Sequence, residues 1–529
     1  MTSLRPDLAP ALDASDPPDD LGDDDSSNVV PFPCSEDAAT HDNTDLRNSE
    51  RLVDEHGAEL RYVTTWKKWA AWRGSRWTIE ADDGEATCRA VAVVRRMMAE
   101  ARKAVQIATR AELLATERHG LKSPQAERAA DVRKAAGGAH SWAVRSQSSA
   151  ALAAMVTLAK SHPAIRITHV ALDVDPMLLN CPNGTIDLRS GVMRDHDRAD
   201  LLTKVTGAPY DGAARSELWE RVLLESMGGD SELVAYFQRA AGYSCTGRTD
   251  EEKLFMPIGP TRGGKSTIIQ AMIGALGDYA RTADIEAFLA QKNPGGPKNE
   301  IARLAGSRLV ASVEVEKGKR LAHGLVKTLT GGDVVTARFL FSEHFEFRPT
   351  FKIWIVANDA PVVADDDGAM WERIHRVPFP CTVPPEKRDP KVKATLLDVA
   401  MSGAAVLAWM VAGAVQWQAK GLGTAAAVTE ATTAYREDSD PLRGFVAEAC
   451  MLDPSLRATR KALRGAYEAW AAEAGGRSTL TGKEFGERVR KLPGVGEGAS
   501  RGERLWTGIG VRASSRPDES DPRVQDEYP

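Results

Sequence analysis

Apolar residues along this chain recur with two different periods, and the change from one to the other marks its elements. Residues 253–258 (KLFMPI) form a short apolar run of strand character, and residues 267–276 carry apolar side chains at helical spacing. A strand, a turn and a helix are therefore predicted in immediate succession. Further buried strands are predicted at 308–313 (RLVASV), 351–357 (FKIWIVA) and 377–379, with a β-hairpin over 334–347 whose turn is Ser342-Glu343-His344. Upstream, 52–77 reads as short strand-like pieces. Residues 85–135 read as one or two helices, 135–139 as a Gly/Ala loop, and 140–160 as another helix. Residues 170–188 read as strands joined by an Asn183-Gly184 turn, and 216–247 as helical. Downstream, 389–418 is helical and strongly apolar, closed by Gly421 and Gly423, and Asp438-Ser439-Asp440-Pro441 marks a linker into a C-terminal unit.

Composition changes this picture mainly at the ends. The chain has 529 residues and a net charge of −6, but residues 1–50 hold thirteen acids against two arginines, leaving +5 elsewhere. Such an acidic, Pro- and Ser-rich start cannot bury enough apolar surface to fold alone, so 1–50 is expected to be a disordered tail, as is 513–529. Six scattered cysteines without a C-x-x-C pair argue against a zinc ribbon or a disulfide framework. No secretory leader and no bilayer-long apolar run is read, so a cytoplasmic protein without a membrane partner is expected.

The turn after 253–258 carries the chemistry. Gly259-Pro260-Thr261-Arg262-Gly263-Gly264-Lys265-Ser266-Thr267 matches G-x-x-x-x-G-K-[ST], in the strand–loop–helix context that the motif requires. Glycines let backbone N–H groups face a polyphosphate, the helix N-terminus adds positive potential and Lys265 adds a full charge. Ser266 is placed to ligate Mg²⁺. The chain is thus expected to bind a nucleoside triphosphate. Hydrolysis also needs an acid, a polar group near the terminal phosphate and often an arginine from a neighbour. Glu314 follows the strand 308–313 and is the first choice to polarise water and help hold the metal, and Glu316 shares that role or pairs with a nearby lysine. Asn358 ends the strand 351–357 as a γ-phosphate sensor. Arg373 is the candidate arginine finger, with Arg376 behind it.

Two other patterns admit a functional reading. Asp173-Val174-Asp175 imitates the paired carboxylates of a primase, but no third acid and histidine follow in order. Trp66, Trp69, Trp72 and Trp77 interleave with Lys67, Lys68, Arg73 and Arg76. This mixture suits base stacking, yet a small β-rich core with a charged outer face accounts for it better.

Taken in order, GPTRGGKST (259–267), RLVASVEVEKG (308–318), KTLTGGDVVTAR (327–338) with FEFRPTFKIWIVAN (345–358), and WERIHRVPF (371–379) resemble the superfamily 3 helicase core of phage and plasmid primase–helicases, a group with poxvirus relatives. PMLLNCPNGTIDLRSG (176–191) and VAYFQRAAGYSCTGR (234–248) resemble the helical domain preceding the motor in that family. The resemblance implies an α/β fold: an AAA+-type P-loop NTPase core with a five-stranded, mainly parallel sheet, an N-terminal helical domain and a C-terminal winged-helix domain. It implies an ATP- and Mg²⁺-dependent DNA helicase, a homo-hexameric ring moving 3′→5′ on single-stranded and forked DNA in phage, prophage or plasmid replication in a bacterial host. A separate primase or polymerase would be its partner. Where relatives carry two arginines after the tryptophan, this chain has Glu372, leaving Arg373, and no primase motif is found.

The expected organisation is a tail (1–50), a small α+β region (51–135), a helical domain (136–250), the ATPase core (251–380), a helical lid (381–425), a winged helix (441–512) and a tail (513–529). In the core, Lys327, Arg338, His344 and Lys352 are the candidate DNA contacts. Residues 456–512 hold twelve Lys or Arg against six acids, a balance suited to phosphate. The alternative function is an ATP-dependent DNA-binding initiator or loader without processive unwinding.

Overall fold

The computed structural model describes residues 43–290, 299–313, 319–338, 345–363, 368–473, 480–500 and 502–512. At its centre lies a five-stranded sheet in which every neighbouring pair is parallel. Its order across the sheet is Ile374–Pro378, Leu254–Ile258, Lys352–Val356, Leu309–Val313, Ala280–Thr282. Strands buried on both faces read as continuous apolar runs, which is why the short runs seen in sequence are core strands. Alternate residues serve opposite faces. Phe255, Trp354, Val356 and Val377 join one apolar cluster, while Leu254, Met256, Ile353 and Ile355 join the other. Phe255 stacks on Trp354 at 4.6 Å, and the Trp354 indole N–H donates to the buried Ser244 hydroxyl at 3.0 Å.

The first cluster is closed by two helices, Ser231–Tyr243 and Ala404–Lys420. The stretch Val399–Lys420 is apolar and long enough to cross a bilayer, contrary to the sequence expectation, and more than half of it is buried within the chain. Its crossing with Ser231–Tyr243 is a glycine contact. A Cβ on Gly242 would stand 2.0 Å from the Ala414 amide nitrogen, and one on Gly413 would stand 2.0 Å from the Gln238 carbonyl oxygen. The start of this stretch, Val399–Gly403, is a π-helix, and Gly421 ends the helix at φ +67.

Several expectations shift. Of the acidic start, residues 1–42 lie outside the described residues, but helix Asp45–His56 begins inside the expected tail and buries Leu52 and Val53. Helix Pro124–Arg145, opened by the Ser123 cap and Pro124, runs straight through Gly137 and Gly138, so 135–139 is not a loop. A pair of interior glycines weakens a helix by about 1 kcal/mol each, and antiparallel packing on the long helix Gly84–His119 offsets that. Region 136–250 is not wholly helical either, because Leu178–Cys181, Gly184–Asp187 and Val192–Arg194 form a three-stranded antiparallel sheet. Its first turn is Pro182-Asn183, since Cys181 pairs with Gly184. Residues 426–438, outside the expected units, form a helix whose Tyr435 packs edge-on against Trp371 at 5.1 Å.

The N-terminal sheet has the order Trp77–Ile79, Lys68–Trp72, Leu60–Val63, Arg166–Ile167. It is joined to the core through Trp77, whose backbone N–H donates to Leu202 and whose indole donates to the Arg198 carbonyl at 2.9 Å. The C-terminal unit runs helix Pro441–Ala449, strand Cys450–Thr459, helices Arg460–Glu473 and Gly482–Arg490, then strands Gly496–Ser500 and Glu503–Val511. A Thr481/Glu484 capping box starts its third helix, and Tyr467, Phe485 and Trp506 fill its own core.

His375, on the edge strand of the central sheet, makes the fold acid-sensitive. Burial, with a smaller contribution from the Lys253 ammonium, lowers its pKa from 6.5 to about 4, and its Nδ1 faces the Tyr236 hydroxyl. The unfolded chain therefore binds a proton that the folded chain refuses. Stability is whole above pH 6.5 and is lost as pH falls from there toward 4, by about 3 kcal/mol. Urea midpoints measured at neutral pH and near pH ~4.5 should diverge less in His375→Phe than in the parent, and equal divergence would count against this assignment.

Candidate functional site

The phosphate-loop motif occupies the C-terminal edge of the central sheet. Strand Leu254–Ile258 ends, the loop turns, and helix Lys265–Leu276 begins directly. Three of its glycines are required for different steric reasons. A Cβ on Gly259 would meet the Phe379 carbonyl oxygen at 2.0 Å, one on Gly263 the Cys381 carbonyl oxygen at 2.8 Å, and one on Gly264 the Ser226 hydroxyl at 2.3 Å. Gly264 also sits at φ +84, and Arg262 adopts φ +64. The loop is therefore walled by the chain that leaves the neighbouring strand, 379–381, and by the end of helix Glu217–Ser226. Neither wall is visible in the motif.

Lys265 lies inside this cradle at 5% exposure. Its ammonium donates to the carbonyls of Gly259 and Pro260, both at 2.7 Å, and to Asn358 Oδ1 at 3.1 Å. Burial holds its pKa below the ordinary lysine value. All three of these partners are neutral oxygens, so the cradle retains a net positive charge, and a polyphosphate is the kind of group that would balance it. Ser266 is half-buried in the first helical turn and Thr267 follows it, whereas Pro260, Thr261 and Arg262 face outward. The donor set thus fits a triphosphate with its magnesium.

Asn358 reaches Lys265 because its strand, Lys352–Val356, lies beside the phosphate-loop strand. The strand leading to Glu314, Leu309–Val313, is one position further out, beyond Lys352–Val356. Glu314 and Glu316 themselves lie outside the described residues, as does His344.

Arg373 is at the opposite edge of the sheet. It directly precedes Ile374, which pairs with Leu254 at the start of the loop strand, so the five-residue strand, about 17 Å long, separates it from its own phosphate loop. Its guanidinium donates to the Ala369 carbonyl at 2.9 Å and pairs with Glu252 at 2.5 Å, while Nε is buried without a partner among the described residues. Glu252, held at φ +54, carries no signal in the sequence, where nothing separates it from its neighbours Asp250 and Glu251. Arg376 lies over the Tyr435 ring, 5.9 Å from its centroid.

The DNA-contact candidates divide. Val335–Ala337 and Phe345–Phe347 do pair as an antiparallel hairpin, with Val335 opposite Phe347. Arg338 is exposed at the end of its first strand, and Lys327 is half-buried on the preceding helix, His323–Thr330. Lys352, contrary to expectation, is a core residue and not a DNA contact. It is 2% exposed, its ammonium is held by the carbonyls of Thr246, Arg248 and Thr350, and it lies 4.7 Å from the Tyr243 ring centre. Burial, then the nearby Arg308 charge, pushes its pKa well down. Asp173 and Asp175 are also structural and lie in a loop. Asp173 accepts from the backbone and hydroxyl of Thr203, and Asp175 pairs with Arg189.

Known proteins resemble this chain as follows. The family described as "D5 N terminal like" matches residues 49–228, from the N-terminal helix to the end of helix Glu217–Ser226. A protein of Acanthamoeba polyphaga mimivirus named "Putative helicase L207/L206" is 27% identical over 212 residues, 39% of this chain and 22% of that protein. One of Invertebrate iridescent virus 3, "Putative helicase 121R", is 29% identical over 221 residues, 39% of this chain and 23% of that protein. The matched stretches thus span less than a quarter of these relatives. Among solved structures, the apo A form of the NrS-1 C-terminal region (305–718) aligns over 88% of this chain and all of that one, with 12% identity and a TM-score of 0.46. Residues 49–228 thus resemble the D5 N-terminal-like family, and together with the viral relatives this likeness supports a phage and viral primase–helicase-like family.

Proposed function

We propose that this chain is an ATP-dependent DNA helicase of superfamily 3, with an AAA+-type core and a C-terminal winged helix, working as a homo-hexameric ring on single-stranded and forked DNA during replication. The observation that carries the reading is the meeting of Lys265 and Asn358 at the end of adjacent parallel strands. It joins the phosphate loop to a second polar group, as a motor requires. The names of the viral relatives, the 335–347 hairpin and the basic C-terminal unit support the DNA part of the reading.

In this mechanism the loop amides and Lys265 hold the phosphates, and the Ser266 hydroxyl and Glu314 hold Mg²⁺. Bound MgATP supplies the phosphoanhydride whose hydrolysis drives movement. Glu314, with Glu316 near it, orients and polarises water. Asn358 fixes the position of Lys265 and senses the terminal phosphate. Arg373, remote from its own loop, delivers its charge to a neighbouring subunit's site. Arg338 at the hairpin and Lys327 on the preceding helix contact the DNA backbone.

The test is unwinding of a fluorescent forked duplex with ATP, with molecular mass measured with and without nucleotide. The expected result is strand separation by a hexamer. ATP hydrolysis by a monomer that never separates strands would overturn the reading.

A further inference from the structure

The four tryptophans of the N-terminal region have different fates. Trp69 and Trp77 are fully buried, and Trp72 packs on Trp77 at 5.8 Å. Trp66 is 45% exposed, at the turn between strands Leu60–Val63 and Lys68–Trp72. The turn is closed by bonds from the Trp66 and Lys67 amides to the Val63 and Thr64 carbonyls, and Lys67 takes the left-handed conformation at φ +54. A lysine held there is mildly strained, and such strain is a pointer to function.

A second segment meets this turn. Arg166–Ile167 pairs in parallel with Tyr62–Val63, which brings His169 alongside. The Thr65 hydroxyl accepts from the His169 backbone N–H at 3.2 Å and lies 3.0 Å from the ring Nδ1. That anchor sets the imidazole 5.7 Å from the Trp66 ring at a 32° tilt. Next to it, Val170 is 69% exposed. Residues 64–68 (TTWKK) and 166–170 (RITHV) together supply Lys67, Lys68 and Arg166 and contain no acid.

We propose that the Trp66 turn is a binding site for single-stranded nucleic acid, separate from the 335–347 hairpin. Trp66 stacks a base, His169 backs the indole, and Lys67, Lys68 and Arg166 take the flanking phosphates. An exposed indole among cations is the combination that sequence-tolerant single-strand binding uses. The site does not depend on nucleotide hydrolysis, so it stands or falls apart from the motor.

The test is fluorescence anisotropy of labelled dT20 and rU20 with the full chain, without nucleotide, against a duplex of equal length. Trp66→Ala should weaken single-strand binding by about 5- to 150-fold with its melting temperature unchanged, and Trp66→Phe should keep most of the affinity. Lys67→Ala with Lys68→Ala should flatten the salt dependence by roughly 0.7 for each phosphate that is no longer neutralised. The two oligomers report whether the site prefers DNA or RNA. Unchanged single-strand affinity in Trp66→Ala overturns the proposal. So does a change confined to self-association, which would make the turn a contact between copies.

Discussion

Arg373→Ala should lower ATP hydrolysis by about 10³-fold, the range of an arginine finger, while nucleotide binding stays near that of the parent. Lys265→Ala should also abolish hydrolysis, but by weakening phosphate binding. The informative result is the mixture. If Arg373 acts across an interface, combining the two inactive variants assembles sites with an intact Lys265 from one chain and an intact Arg373 from the next, and activity returns in part. The geometry motivates this, because one strand length of the central sheet separates Arg373 from its own loop. In the single chain the guanidinium is instead tied to Glu252, a pair that must open for it to reach a partner. Glu252→Gln should therefore leave hydrolysis intact or raise it. Inert mixtures across all ratios, with each variant folded and assembled, would rule out a shared site.

The second large effect is on stability. Gly242→Ala should lower the melting temperature of the core by about 6–12 °C, corresponding to about 3 kcal/mol at the upper end of overpacking costs. The added methyl would stand 2.0 Å from the Ala414 nitrogen and 2.1 Å from the Gly413 carbonyl carbon, and the nearest atoms are backbone, which cannot rotate away. Gly413→Ala should behave alike, and the double variant should cost less than the sum because both disturb one crossing. Gly138→Ala is the control. It lies in a helix where a Cβ meets nothing, so it should stabilise slightly. A Gly242→Ala protein that melts within about 1 °C of the parent would show that the two helices can part at little cost.

The contrast between those glycines shows where the chain read alone stops. Gly242 and Gly413 lie far apart in sequence and mean nothing separately, and their contact exists only once two apolar helices cross. Gly137 and Gly138, adjacent and conspicuous, read as a loop. Their helix is opened by the Ser123 cap and Pro124 and held by packing on Gly84–His119, and the glycine pair by itself announces neither.

Local chemistry is legible because it is written in neighbouring residues. The phosphate loop, its strand and helix, the hairpin pairing and most core strands follow from period and from residues a few places apart. The tertiary structure decided what depends on distant segments meeting: Asn358 on Lys265, Glu252 on Arg373, the burial of Lys352 against the carbonyls of Thr246 and Arg248, and the exposure of Trp66 while Trp69 and Trp77 sink. Side-chain period tells which face of an element is apolar. It cannot tell what the fold brings against that face, and for a charged residue this neighbour alone separates a surface contact from a buried one.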